Sequence, residues 1–282
     1  MEGNVDIGFT ERGELPKPSF QTVEANSFRT RGEPLPIEIS GITSDWHSVK
    51  GGINPKSEGA KNVSAANFEV LYNPETNQWL KIVPPEVTGE KAKKILKKSV
   101  KIAKAACIVA GLSEIADEIK EHEVMVRGKK AYGFVSPHMG QSIYHYAKGA
   151  LFRQDDKDEV KELVSTVYNI AFQQAVRLYE EYGYWTDDPN PGNILLHAKG
   201  DQYHVVLIDF SNNQQDKSVN PDKIPDHIAL PGQKDAEVAK RHAKNIEVLR
   251  AKFAKQCAIS GSSFTGSPEV TSSPISIPNI EN

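Results

Sequence analysis

Three polar side chains in the second half of the chain have the types and spacing that could do chemistry. Asp188 and Asn193 stand five residues apart in Asp188-Pro189-Asn190-Pro191-Gly192-Asn193, and Asp209 closes the apolar run Val205-Val206-Leu207-Ile208. Pro189 and Pro191 stiffen the loop by fixing φ. Asn193 opens an apolar strand, and a hairpin partner ending at Asp209 would return the chain to the same point. An acid that accepts the proton of an attacking hydroxyl, with an amide and a carboxylate oxygen to hold magnesium against phosphates, is the set that phosphoryl transfer requires. Asp, Asn, Pro and Gly are also ordinary turn residues. What separates this loop from a plain turn is its place between a long core helix and two apolar strands.

The elements that must position these residues follow an order of strands first and helices second. Residues 66–72 and 78–83 alternate as strands around Asn73-Pro74-Glu75-Thr76-Asn77, which predicts a hairpin. A helix is expected from Thr88 to Ala110, with Ile95, Leu96, Ser99, Ile102, Ala103 and Ala106 inward and Gly111 closing it. A short helix capped by Ser113 runs to about Glu121, and a second hairpin is expected from strands 123–126 and 131–135. From Asp155 to Tyr182 the residues Val160, Leu163, Val164, Val167, Ile170, Ala171, Ala175, Leu178 and Tyr182 form one stripe, stopped by Gly183. Strands 194–197 and 204–208 follow, then a helix over 235–256 with Ala239, Ile246, Leu249 and Phe253 inward.

The segment from Thr186 to Ser211 resembles the catalytic and metal-binding loops of the protein-kinase-like superfamily, whose pattern is H-R-D-x-x-x-x-N followed by D-F-G. On that resemblance Asp188 is the catalytic aspartate, Asn193 and Asp209 bind the metal, and Phe210 stands beside Asp209. Thr186-Asp187 replace His-Arg, Asn190 stands where protein kinases usually carry lysine, and Ser211 replaces the glycine. Trp79-Leu80-Lys81-Ile82-Val83 looks like the third small-lobe strand, with Lys81 pairing the α and β phosphates. Val135 to Gly140 would be the hinge, placing Met139 at the adenine. Residues 50–59 sit where a phosphate-covering loop belongs without matching G-x-G-x-x-G. The partner glutamate of Lys81 is left open between Glu114, Glu118 and Glu90. No A-P-E segment follows Ser211, which implies a pared-down large lobe of the kind found in kinases that bacteria inject into host cells.

The resemblance implies an α+β, bilobal protein-kinase-like fold with a small strand-rich N-lobe at 42–140 and a reduced helical C-lobe at 141–257; proline content, Pro34 and Pro36 included, reads 1–41 as a flexible or loosely docked segment, and composition reads 258–282 as a disordered Ser/Thr/Pro-rich tail. It implies a phosphotransferase using ATP with Mg2+ or Mn2+, of bacterial effector type, acting on Ser/Thr of a protein that could be a host's. A small-molecule or lipid kinase of the aminoglycoside-phosphotransferase type, which the missing lysine allows, and a pseudokinase binding module remain alternatives.

Composition sets the outer limits. With 282 residues, 38% hydrophobic and 25% charged, the chain can bury one sizeable core or two small lobes, and a formal charge of -3 argues against a general nucleic-acid or membrane-binding surface. Two distant cysteines without a partner motif indicate neither a disulfide framework nor a zinc site. No apolar run approaches a spanning helix, so a soluble, cytoplasmic protein is expected, with secretion into a host cell by an unconventional signal compatible with that reading. The helix at Glu90–Lys104 carries seven lysines against one acid. A solvated basic face is the default reading. Like charges at i,i+3 and i,i+4 repel, however, and a polyanion such as an inositol polyphosphate, an anionic lipid or an acidic partner would relieve them and could act as an activator.

Overall fold

The computed structural model describes residues 30–49, 68–84, 87–152, 157–184, 186, 188–200, 202–208, 233–266 and 275–276. Residues 50–59, expected where a phosphate-covering loop belongs, Asp187, and Asp209 with Phe210 and Ser211 lie outside the described residues. The chain mixes helix and strand: the elements expected between residues 66 and 256 appear in their expected order, and strands at 30–39, 42–49, 141–142 and 275–276 and a helix at 143–152 are added to them.

Six strands close into a barrel: β1 (Thr30–Ile39), β2 (Ile42–Val49), β3 (Glu69–Asn73), β4 (Gln78–Ile82), β5 (Lys120–Val126) and β6 (Lys129–Pro137), in the order β1-β2-β3-β4-β6-β5, with β1 pairing β5 to complete the ring. Alternation sends Ile37, Trp46, Leu71, Leu80, Ile82, Val124 and Val135 to its interior. The β5–β6 turn is Arg127-Gly128, both with positive φ (50° and 74°), the backbone that a two-residue hairpin requires. Asn73 shapes the β3–β4 turn by accepting from the N–H groups of Glu75 and Thr76.

Two of the expected boundaries are corrected. Residues 30–39, expected within a loosely docked segment, form β1. Pro34 coincides with the register shift between Arg31 and Leu35, so the ladder bond that proline cannot donate falls where pairing is already interrupted. Residues beyond 257, expected as a disordered tail, are in part fixed. Phe264 packs edge-on against Phe172 at 5.5 Å, and β10 (Ile275–Ser276) pairs with Tyr203 and Gln202.

Helix α1 (Gly89–Val109) follows β4 and lies on the outside of the barrel, burying Ala92, Leu96, Val100, Ile102, Ala105, Ala106, Cys107 and Val109. Gly111 leaves it at φ +79°. The next helix, α2, is Ser113–Glu118; Leu112 rather than Ser113 occupies the cap position, and Ser113 begins the helix without a side-chain cap.

After β6 the chain forms β7 (Gln141–Ser142), α3 (Ile143–Phe152) and α4 (Lys157–Tyr182), then β8 (Ile194–Lys199), β9 (Gln202–Leu207) and α5 (Gln233–Ile259). The sheet order is β10-β9-β8-β7. Helix α4 is the core helix its stripe predicts: Val160, Val164, Val167, Ile170, Ala171, Ala175 and Leu178 are buried, and Tyr168, Phe172 and Tyr179 join them. Leu249, Phe253 and Cys257 of α5 pack on it, with Ile246 half-buried beside them.

The two halves meet at the end of α1. Its last carbonyls, Val109 and Ala110, accept from Arg177 Nη1 of α4 (3.3 Å) and pair with His204 Nδ1 of β9 (2.8 Å), so the orphan acceptors of a helix C-terminus are met by cationic or polar donors from the other half. Among the described residues, no helix is long and apolar enough to cross a membrane.

Candidate functional site

The loop between α4 and β8 is built by its own side chains. Asn190, φ -69° and ψ 155°, has the extended backbone that a following proline imposes. It caps a single 3-10 turn, Pro191–Asn193, accepting from the Gly192 N–H at 2.8 Å. Its amide nitrogen donates to Asp188 Oδ2 at 2.8 Å. Asn193 Nδ2 donates to the Asp188 carbonyl at 3.1 Å and lies 3.5 Å from Asp188 Oδ2. Asp188 and Asn193, five residues apart in sequence, are therefore brought together as expected. Pro189 is buried beneath them while the Asp188 carboxylate is exposed.

Asn193, the last residue of that turn, immediately precedes β8. The Ile208 N–H donates to its carbonyl at 2.9 Å, and Ile194 pairs with Leu207, so the ladder runs one residue past β9. Position 209, the next in sequence, is the expected metal-binding aspartate.

Lys81 is half-buried on β4. Its cross-strand neighbours are Val70 and Phe134, and directly opposed residues share a face. Phe134 belongs to the apolar cluster that includes Leu96, Val100 and Cys107 of α1, with Met139, Leu195 and Ile208 against it. Lys81 thus stands on the α1 face of the barrel wall, while Met139 and the start of the β8–β9 hairpin border the same cluster. Met139 itself receives the Cys107 thiol on its sulfur at 3.5 Å.

The segment after β6 is tightly held. The His138 N–H donates to the Asn77 carbonyl at 3.0 Å, and Trp79 Nε1 donates to His138 Nδ1 at 2.9 Å. Burial pushes the His138 imidazole below its usual value, with the neighbouring His197 adding to the shift. A neutral ring is what accepting from Trp79 requires, so this histidine acts as a packing and hydrogen-bonding residue. Gly140, φ +93°, allows the close approach to β8: a Cβ there would sit 2.0 Å from the Leu196 carbonyl oxygen.

None of the three candidate glutamates meets Lys81. Glu90 pairs with Lys93 at 3.0 Å, one turn along α1. The Glu114 carboxylate pairs with Lys199 of β8, whose hydrogen bond is the main influence holding it below the usual carboxylate range. Glu118 is exposed. Among the described residues Lys81 makes no ion pair. The long reach from β8 that claims Glu114 has no local signature in the sequence. The orienting role of Asn190 was likewise not legible, because a side chain that bonds two residues to either side leaves no pattern beyond turn composition.

The lysines of α1 lie on its outer side, with Lys91, Lys94, Lys97 and Lys101 exposed and Lys93, Lys98 and Lys104 half-buried. Lys93 is 5.9 Å from the Tyr132 ring centroid. Both cysteines are poor nucleophiles: burial pushes Cys107 up to about 12 and Cys257 up to about 11.

No protein-family model matches the chain, and no curated protein matches it in sequence. Among solved structures, the Toxoplasma gondii specific rhoptry antigen kinase domain is similar at 13% identity and a TM-score of 0.34, over 64% of this chain and 54% of that one. The chain therefore spans about half the length of that kinase-domain chain.

Proposed function

We propose that the chain is a phosphotransferase on a bilobal, protein-kinase-like scaffold, in which the barrel with α1 and α2 is the small lobe and α3 to α5 with their sheet the large lobe. The observation that carries this reading is the hydrogen-bonded set of Asp188, Asn190 and Asn193 at the mouth of the β8–β9 hairpin. It combines an exposed carboxylate with an amide oxygen, and position 209 follows the residue bonded to the Asn193 carbonyl.

The donors suit a hard divalent cation. Asn193 spends Nδ2 on Asp188, and its Oδ1 has no hydrogen-bond partner among the described residues, leaving one oxygen ligand for magnesium or manganese, to which the Asp209 carboxylate would add another. When bound, the cation with ATP would neutralise charge on the phosphates. Asp188 accepts the proton of the acceptor hydroxyl as the new bond from oxygen to the γ-phosphorus forms and the bond to the departing ADP breaks. Lys81 lies on the barrel face that shares its apolar cluster with α1, where it would meet the phosphates, and Met139 would line the adenine side.

The acceptor proposed is a protein Ser/Thr hydroxyl, with the bacterial-effector setting part of the same reading. Incubating the purified chain with γ-labelled ATP, a divalent cation and a host-cell extract tests it. Label should enter protein with wild type and be lost with Asp188→Ala. Labelling by Asp188→Ala equal to wild type would end the reading, and label confined to small molecules would move the acceptor to the small-molecule class.

A further inference from the structure

We infer that Asn190 is a positioning residue, which orients Asp188 so that Oδ1 is the oxygen that takes the proton; this rests on the phosphotransferase reading above. Both ends of its amide are committed. Nδ2 donates to Asp188 Oδ2 at 2.8 Å, and Oδ1 accepts from the Gly192 N–H at 2.8 Å. Asp188 Oδ2 also faces Asn193 Nδ2 at 3.5 Å, whereas Asp188 Oδ1 has no partner among the described residues. One carboxylate oxygen is tethered and the other is presented.

The local sequence makes this orientation a property of the backbone. Pro191 forces Asn190 into the extended region, from which its side chain caps the turn that follows. Pro189 fixes φ on the other side. Gly192 completes the fit, since a Cβ at that position would stand 3.0 Å from Asn190 Oδ1. The Asn193 N–H in turn donates to the Asn190 carbonyl at 2.9 Å, so one residue holds the acid and the residue that leads into β8 in a fixed relation. An amide at this position supplies direction without charge. A lysine would supply charge, but it has no acceptor for the Gly192 N–H. Neutralisation of the transferred phosphoryl must then come from elsewhere, namely Lys81 and the cation.

The variant Asn190→Asp separates the two halves of the amide. It keeps the size and the acceptor for Gly192, removes the donor to Asp188 and sets one carboxylate against another. The expected result in γ-labelled ATP transfer is a kcat reduced about 10- to 100-fold with KM for ATP within about twofold of wild type, because the loop is retained and only the acid is misdirected. A kcat within about twofold of wild type would overturn the assignment. A second measurement needs no turnover. In 1H–15N spectra of the full chain, Asp188→Ala should move the Asn190 side-chain amide resonances while the Gly192 N–H, still bonded to Oδ1, stays in place. Asn190 side-chain resonances unaffected by Asp188→Ala would overturn the inference. If wild type transfers no phosphate, the phosphotransferase reading falls and the amide spectra still decide whether Asn190 holds Asp188.

Discussion

The Ile208 N–H donates to the Asn193 carbonyl at 2.9 Å, one residue beyond the last strand pair of the β8–β9 hairpin. That bond ties the backbone of Asn193, at the end of the Asp188–Asn193 loop, to Ile208 at the end of the hairpin, so loop and hairpin are held together by more than chain connectivity.

Gly140 is where the segment after β6 meets β8, and a substituent cannot be accommodated there. Its φ of +93° disfavours any side chain, and the Leu196 carbonyl oxygen occupies the space of a Cβ. Gly140→Ala is expected to cost about 3 kcal/mol or more through strain and the lost approach of β7 to β8, read as a shift in the chemical-denaturation midpoint.

Four histidines share one response to acid. Burial is the largest cause pushing His122, His138, His145 and His197 below the usual value; Lys120 adds for His122, His197 for His138, Lys148 for His145 and His204 for His197, where Glu114 opposes. Folding therefore favours the neutral rings, and their contribution is present above the unfolded value of about 6.5 and is lost as pH falls through the depressed folded values. The thermal midpoint should drop between pH ~7 and pH ~5. His138→Gln, which keeps an acceptor for Trp79 but cannot be protonated, should flatten that slope; an unchanged slope would remove His138 from the explanation.

The C-terminal segment is part of the folded core. Asn169, buried on α4, accepts at Oδ1 from Thr265 Oγ1 (3.1 Å) and the Gly266 N–H (2.9 Å), beside the Phe264–Phe172 contact. Ending the chain at residue 262 should destabilise it by about 2–4 kcal/mol, from the stranded amide oxygen and the lost aromatic packing. Calorimetric unfolding of the shortened chain with an unchanged midpoint would contradict this.

Where the sequence revealed the fold, a period was long or a turn was specific. Helix α4 could be read from its stripe, and the β5–β6 hairpin from Gly128 between two apolar strands. Strand β1 was hidden because Pro34 and Pro36 read as loop; the buried Ile37 and Trp46, nine residues apart and both inside the barrel on neighbouring strands, are the signal that would have exposed it. Phe264 was similarly masked by the Ser, Thr and Gly around it. The contact between Asp188 and Asn193 was legible because their spacing is local. The capture of Glu114 by Lys199 depends on a contact across the chain that no local spacing encodes.

Lys81 is expected to act on phosphate placement rather than on folding, since it is half-buried and makes no ion pair among the described residues. Lys81→Ala should reduce kcat/KM for ATP by about 10²-fold with the thermal midpoint within about 2 °C of wild type. Steady-state kinetics beside thermal unfolding separates this from a structural role, which would move both.

The site's central claim is that Asn193 and position 209 share one divalent cation with ATP, and paramagnetic broadening tests it without requiring turnover. In 1H–15N spectra, substoichiometric Mn2+ added with ATP should erase the Asn193 side-chain amide resonances in wild type and leave them sharp in Asp209→Ala. Asn193 resonances that stay sharp in wild type at saturating Mn2+ and ATP would contradict the account.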